Sequence, residues 1–177
     1  GFDYLWVEME HSPVSLQTLR NIVLGTRGLP AVPLARPPVN ELWTVKRFLD
    51  AGVLGVITPF TRTAEDARRL AAACRYPPQG LRGCGSDLAA TRWPAEQGYH
   101  DFADDNVLAV AVIECVEGLK NIDEIAATPG IDVLFIGTSD LSFSLGFRGR
   151  QGSPELEAAV ARVAAAAKKN GKFVGRP

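Results

Sequence analysis

No run of apolar residues in this chain approaches the roughly 20 needed to cross a bilayer, and no charged segment followed by an apolar one opens it. Membrane insertion and secretion are therefore not expected, and the cytoplasm is. Charge of one sign is also lacking: Lys+Arg number 19 against Asp+Glu 20, a net charge of -1 without any basic run, so nucleic acid is not an expected partner. Cysteine is scarce, with Cys74, Cys84 and Cys115 in neither a CxxC nor a Cys/His arrangement. Neither a disulfide framework nor a structural zinc site is indicated.

What is present is apolar material in a regular order. At 177 residues and 46% hydrophobic, the chain can bury a core and is expected to form a single domain, 1–177. Strand-like runs at Tyr4–Glu8, Ala31–Ala35, Leu54–Thr58, Val107–Ile113, Val133–Ile136 and Lys172–Gly175 alternate with helical spacings at Ser15–Leu24, Glu41–Ala51, Ala64–Cys74, Gly118–Ala127 and Pro154–Asn170. This alternation predicts parallel βαβ units. Thr63-Ala64-Glu65-Asp66 offers a helix N-cap, and Lys168-Lys169-Asn170-Gly171 a helix end. The stretch Arg75–Asn106 reads as one long irregular connection of the kind that is usually functional or mobile.

Six strands are too few for a closed parallel barrel of about eight strands and 250 residues, and would also suit an open doubly wound sheet. The pattern alone leaves both open. The first strand begins almost at Gly1 and the last has barely begun at Gly175-Arg176-Pro177, so a barrel reading implies a portion cut at both ends. Tyr4–Glu8 and Phe173–Val174 would then be unpaired edges.

Chemistry gathers at the strand ends. Leu134–Ile136 runs into Gly137-Thr138-Ser139-Asp140, and Leu108–Ile113 ends in Glu114. Two carboxylates at the C-terminal ends of neighbouring parallel strands are expected on one rim, where oxygen-only ligation suits Mg²⁺ or Mn²⁺. Each has a plainer explanation alone, Asp140 as a helix cap and Glu114 as a solvated strand end. Glu8 to His11 follow the first strand and Arg36 the second, though His11 could simply pack at a helix start and Arg36 could be a surface arginine.

These pieces resemble the metal-dependent pyruvate aldolases of the 4-hydroxy-2-oxoheptanedioate aldolase family, relatives of the citrate lyase beta subunit. The matching motifs are Gly1-Phe2-Asp3-Tyr4 leading into Glu10-His11-Ser12-Pro13, Arg36-Pro37 with Asn40, and Leu49-Asp50-Ala51-Gly52. Further along come Tyr76-Pro77-Pro78-Gln79-Gly80-Leu81-Arg82-Gly83, Ile113-Glu114 and Phe135 to Ser142, in the family's order across essentially the whole chain. The resemblance implies a TIM-type (β/α)8 barrel, here an incomplete portion of about six strands. It implies that Glu114 and Asp140 bind a divalent cation, Mg²⁺, Mn²⁺ or Co²⁺, that chelates pyruvate. Gly137, Thr138 and Ser139 would receive the pyruvate carboxylate through backbone N–H groups, and Arg36 would face the keto oxygen. His11 would be the base or hold a basic water, Glu8 would stand where an aspartate commonly orients that histidine, and Asp50 would be a further acid near the site. Glu8 and Thr138-Ser139 depart from the commoner residues at those positions. The implied partners are pyruvate and an aldehyde, and the implied assembly is a homo-oligomer.

Enolising a methyl beside a carbonyl needs positive charge at the developing oxyanion, which a Lewis-acid cation and a guanidinium supply. No lysine stands at a comparable strand end for Schiff-base chemistry. The expected activity is a carbon–carbon lyase joining or cleaving pyruvate enolate and an aldehyde. Decarboxylation of oxaloacetate and a catalytically silent fragment or assembly subunit are the alternatives.

Overall fold

The six apolar runs become strands in the computed structural model, which describes residues 1–85 and 87–177. They are β1 (Tyr4–Glu8), β2 (Val32–Arg36), β3 (Gly55–Thr58), β4 (Leu108–Ile113), β5 (Val133–Ile136) and β6 (Phe173–Gly175). The strands follow chain order in the sheet, and the β1/β2, β2/β3, β4/β5 and β5/β6 ladders are parallel. A doubly wound sheet reverses its order at a switch point, so the open-sheet alternative does not apply. Successive βα units wound in one sense do give this order. β1 and β6 each have one strand neighbour, and Tyr4 and Phe173 on them are 55% and 75% exposed.

Packing divides the chain into two compact units, Gly1–Ile57 with Arg69–Ala109, and Thr58–Arg68 with Val110–Pro177. In the first, β1 and β2 pair from Tyr4↔Val32 to Glu8↔Arg36, and β2 meets β3 at Ala35↔Val56. The Leu108 N–H donates to Leu54 O at 3.1 Å, which joins the start of β4 to the approach of β3. Gly55 permits this closeness, since a Cβ there would come 2.6 Å from Leu34 Cδ2 and 3.1 Å from Leu108 Cβ. Helix α1 (Leu16–Gly25) starts at Ser15, whose hydroxyl accepts the Thr18 N–H at 3.1 Å, and buries Leu19 and Val23 four residues apart. Helix α2 (Leu42–Asp50) buries Val45, Phe48 and Leu49. It ends before Gly52, whose φ of +100° is open to glycine but strained for other residues.

The connection Arg75–Asn106 is not irregular throughout, and this corrects the sequence expectation, with Ser86 outside the described residues. It holds α4 (Asp87–Arg92) and α5 (Tyr99–Asn106). Their sequences have little helical periodicity, and tertiary burial decides instead. Arg92 is 8% exposed and donates through Nη2 to Thr26 O at 3.1 Å, while Tyr99 and Ala103, one turn apart, are 6% and 0% exposed. The Tyr76–Arg82 segment folds back on α3 (Ala64–Ala73), with Leu81 N–H donating to Ala72 O at 2.7 Å and Arg82 N–H to Arg75 O at 2.8 Å.

In the second unit, β4 and β5 pair from Val110↔Val133 to Ile113↔Ile136, and β5 pairs with β6 from Val133↔Phe173. The expected N-cap at Thr63 is present as a reciprocal box. Asp66 N–H donates to Thr63 Oγ1 at 3.2 Å and Thr63 N–H to Asp66 Oδ2 at 3.0 Å. The helix expected over Gly118–Ala127 is two, α6 (Val116–Lys120) and α7 (Ile122–Ala127), separated at Asn121. A further helix, α8 (Thr138–Ser144), follows β5 directly and carries Asp140 in its first turn. Helix α9 (Pro154–Lys169) shows the clearest sequence logic, with Ser153 as N-cap, Pro154 in the first turn, acids at its start and Lys168-Lys169 at its end. Its Leu156, Ala159, Val163, Ala166 and Ala167 are buried at three- and four-residue spacings. Among the described residues, no helix is long and apolar enough to cross a membrane.

Candidate active site

In the first unit the parallel register of β1 and β2 sets Glu8 opposite Arg36 at the C-terminal strand ends. Arg36 Nε lies 2.5 Å from Glu8 Oε2 and 3.1 Å from Glu10 Oε2, and its guanidinium sits 5.5 Å over the Trp6 ring. The Glu8 carboxylate gathers four donors. Its Oε1 accepts the N–H groups of Glu10 at 2.7 Å and His11 at 3.1 Å, and its Oε2 accepts from Arg36 and from Trp6 Nε1, the latter at 3.3 Å. Ser12 Oγ closes the turn by donating to Glu8 O. Burial acts to raise the Glu8 carboxyl, but the hydrogen bonds from Arg36 and the two amides outweigh it and hold the group below its ordinary value. Glu8 thus organises the backbone ahead of the His11 imidazole. The imidazole itself is 66% exposed, with Nε2 3.5 Å from Glu10 Oε2.

Asp50, at the end of α2, engages a different group. Arg82 Nη2 donates to Asp50 Oδ1 at 3.2 Å and to Tyr99 Oη at 3.1 Å. The Arg82 side chain has no exposed surface, and its guanidinium lies 4.6 Å over the Tyr76 ring and 5.5 Å over that of Tyr99. Burial pushes the Asp50 carboxyl up, and Arg82 and Lys46 offset only part of that. Asp50 also lines a cleft of about 290 Å³ with Gln17, Arg20, Arg47 and Leu88.

In the second unit β4 ends in Glu114, a carboxylate only 2% exposed. The Phe60 N–H donates to its Oε1 at 2.6 Å. At the end of β5, Gly137 N–H donates to Ile113 O at 3.1 Å, which brings its Cα against Glu114. A Cβ on Gly137 would lie 2.7 Å from both Glu114 Cβ and Glu114 Oε2. Asp140 is exposed in the first turn of α8, near buried Thr138, while Ser139 is exposed and its carbonyl accepts the Ser142 hydroxyl at 2.7 Å. Among the described residues no group of three or more His, Cys, Asp or Glu side chains gathers as a metal cage.

The structure thus joins Glu8, His11 and Arg36, places Glu114 against Gly137 at the start of α8, and sets Asp50 with Arg82. Three contributors stand outside the residues to which the sequence assigns catalysis, substrate or metal. Glu10 stands between Arg36 and His11, and the Glu10-His11 pair is its visible signal. Arg82 binds Asp50, and the signal was an arginine inside the Tyr76–Gly83 motif. The Phe60 amide is a backbone group, signalled only by Pro59-Phe60 following the end of a strand at Thr58.

A profile of the HpcH/HpaI aldolase/citrate lyase family matches residues 1–174. A hydroxypyruvate/pyruvate aldolase of Cupriavidus necator is 40% identical over 176 residues, covering 99% of this chain and 65% of the relative. A 5-keto-4-deoxy-D-glucarate aldolase of Salmonella paratyphi C is 36% identical over 175 residues, covering 99% and 68%. Among solved structures, a family protein from Burkholderia cenocepacia J2315 superposes with a TM-score of 0.90 at 36% identity, covering 99% of this chain and 71% of that one. The chain therefore spans about two thirds of the length of these curated relatives.

Proposed function

Because the chain belongs to the HpcH/HpaI aldolase/citrate lyase family, we propose that its protein is a divalent-metal-dependent lyase that forms or cleaves a carbon–carbon bond between pyruvate enolate and an aldehyde. The fold we propose is part of one TIM-type barrel domain, supported by the strand order without reversal.

The observation that carries the reading is Glu114. A carboxylate kept at 2% exposure at a strand end, with an amide on Oε1 and a glycine cleared beside Oε2, suits a hard cation better than a solvated strand end. Asp140 is the second oxygen donor in this proposal. Two carboxylates fit Mg²⁺ or Mn²⁺, which are commonly bound by one or two carboxylates with water and substrate completing the shell. When bound, such a cation supplies Lewis-acid charge for enolate formation.

The chain's own residues take the remaining roles. Arg36 is held by Glu8 and Glu10 with its Nε, and its guanidinium is offered to the keto oxygen as negative charge develops there. The exposed His11 imidazole takes the methyl proton, and Glu8 secures the turn that carries it. The amides of Thr138 and Ser139 at the start of α8 receive the substrate carboxylate, while the Gly137 N–H, expected to share that role, is given to Ile113 O instead. Asp50 is a further acidic residue of the site, and its carboxylate holds the buried Arg82 guanidinium.

Release of pyruvate from 4-hydroxy-2-oxo acids tests the proposal. It should require Mg²⁺, Mn²⁺ or Co²⁺ and stop on chelation. Pyruvate release that is indifferent to chelation would overturn the metal-dependent reading, and turnover of oxaloacetate alone would favour decarboxylation.

A further inference from the structure

Of the described residues other than glycine, only Phe60 and Arg148 have a positive φ, and Phe60, at 49°, lies two residues beyond β3. A bulky side chain in the left-handed region is uncommon and persists where its surroundings fix it. Here the fixing is visible at the residue that follows. The Thr61 N–H donates to Val112 O at 3.1 Å, and Thr61 O lies so close to Gly118 that a Cβ there would come within 2.5 Å of it. The ring does little to explain the conformation, being 40% exposed with the Arg62 guanidinium 5.4 Å above it. In this conformation the Phe60 N–H donates to Glu114 Oε1 at 2.6 Å.

We propose that Phe60 is a positioning residue whose left-handed backbone, through its N–H, fixes the rotamer in which the Glu114 carboxylate binds a divalent cation. The inference rests on the metal reading of Glu114 above and adds to it the group that holds the ligand. Gly137 blocks movement of the carboxylate on its other side, since no atom larger than hydrogen fits between its Cα and Glu114. An amide donor to a ligating carboxylate fixes orientation before the cation arrives, and losing such a partner typically weakens metal affinity roughly 10- to 100-fold.

The test separates backbone from ring. Glycine and asparagine accept a positive φ, and valine, branched at Cβ, resists it most. Mn²⁺ binding, read by electron paramagnetic resonance on the purified protein, should stay within about twofold of the parent in Phe60→Gly and Phe60→Asn, whereas Phe60→Val should weaken it roughly 10-fold or more. Folding of each variant is checked by circular dichroism. Should Phe60→Val not fold, the Phe60 amide proton resonance of the parent decides, and it should move both on Mg²⁺ addition and in Glu114→Gln. Parent-like affinity in folded Phe60→Val, loss in Phe60→Gly equal to that in Phe60→Val, or an unmoved amide resonance would overturn the positioning role and leave the metal reading standing. Absence of Mn²⁺ binding by the parent itself would overturn both.

Discussion

Replacing Gly137 by alanine adds one methyl group where the structure has no room for it. The added carbon would stand 2.7 Å from Glu114 Cβ and Oε2 and 3.3 Å from Val112 Cγ1. Carbon atoms pack at about 3.5–4.0 Å, so Glu114 or the backbone at the β5–α8 junction must retreat by about 1 Å. The β5 side is held by pairing to β4 and by the Gly137 N–H to Ile113 O bond, leaving Glu114 as the group that moves. Overpacking of this kind costs about 1–3 kcal/mol. For a chain of this size each kcal/mol lowers Tm by about 2–4 °C, giving an expected drop of about 2–12 °C by calorimetry. Displacing the carboxylate should also weaken Mn²⁺ binding roughly 10-fold or more, measured by titration calorimetry. Gly25→Ala is the control, because nothing lies within 4 Å of a Cβ there, and it should leave both quantities near the parent's. A Gly137→Ala protein that melts with the parent and binds Mn²⁺ as tightly would refute the reasoning.

Arg36→Lys should lower kcat for aldol cleavage by about 10²–10³, because lysine cannot reproduce the guanidinium fork between two carboxylates and the substrate oxygen; near-parental steady-state rates would contradict this. His11→Ala should lower kcat by about 10²–10⁴ while leaving Mn²⁺ affinity intact, and an equal loss of affinity would mean that His11 acts on the cation instead. Glu8, lowered in the fold, binds fewer protons folded than unfolded, so its contribution is present above its ordinary value of 4.5 and is lost as pH falls through the lowered one. Asp50, raised in the fold, has the opposite sign and favours folding as pH falls through its own range. Urea midpoints between about pH 3 and 6 should therefore vary less with pH in Glu8→Gln and more steeply in Asp50→Asn, and the reverse order would show that the two environments are misread.

How much was legible in the sequence follows the nature of each signal. Strands with several buried apolar residues, such as Leu108–Ile113, announce themselves, and the cap at Thr63 is a short-range hydrogen-bond pattern that survives into the structure. Helices α4 and α5 were hidden because their stability comes from burying Arg92 and Tyr99 against residues distant in sequence. The Phe60 amide was hidden for another reason, since every residue but proline has a backbone N–H and only its direction is informative. The family motifs around His11, Arg36, Glu114 and Asp140 were legible as residue types. The reach of Glu8 was not, because its extra methylene lets the carboxylate engage Arg36, Trp6 and two amides at once while the imidazole faces Glu10.

Exchange of the pyruvate methyl protons with deuterated water tests the central claim most directly, since it reads enolate formation without the aldehyde and can be followed by proton NMR. The account expects exchange in the parent with Mn²⁺ or Mg²⁺, none above background after chelation, and none in Glu114→Gln with the cation restored. Exchange that persists without a divalent cation, or that survives in Glu114→Gln, would contradict it.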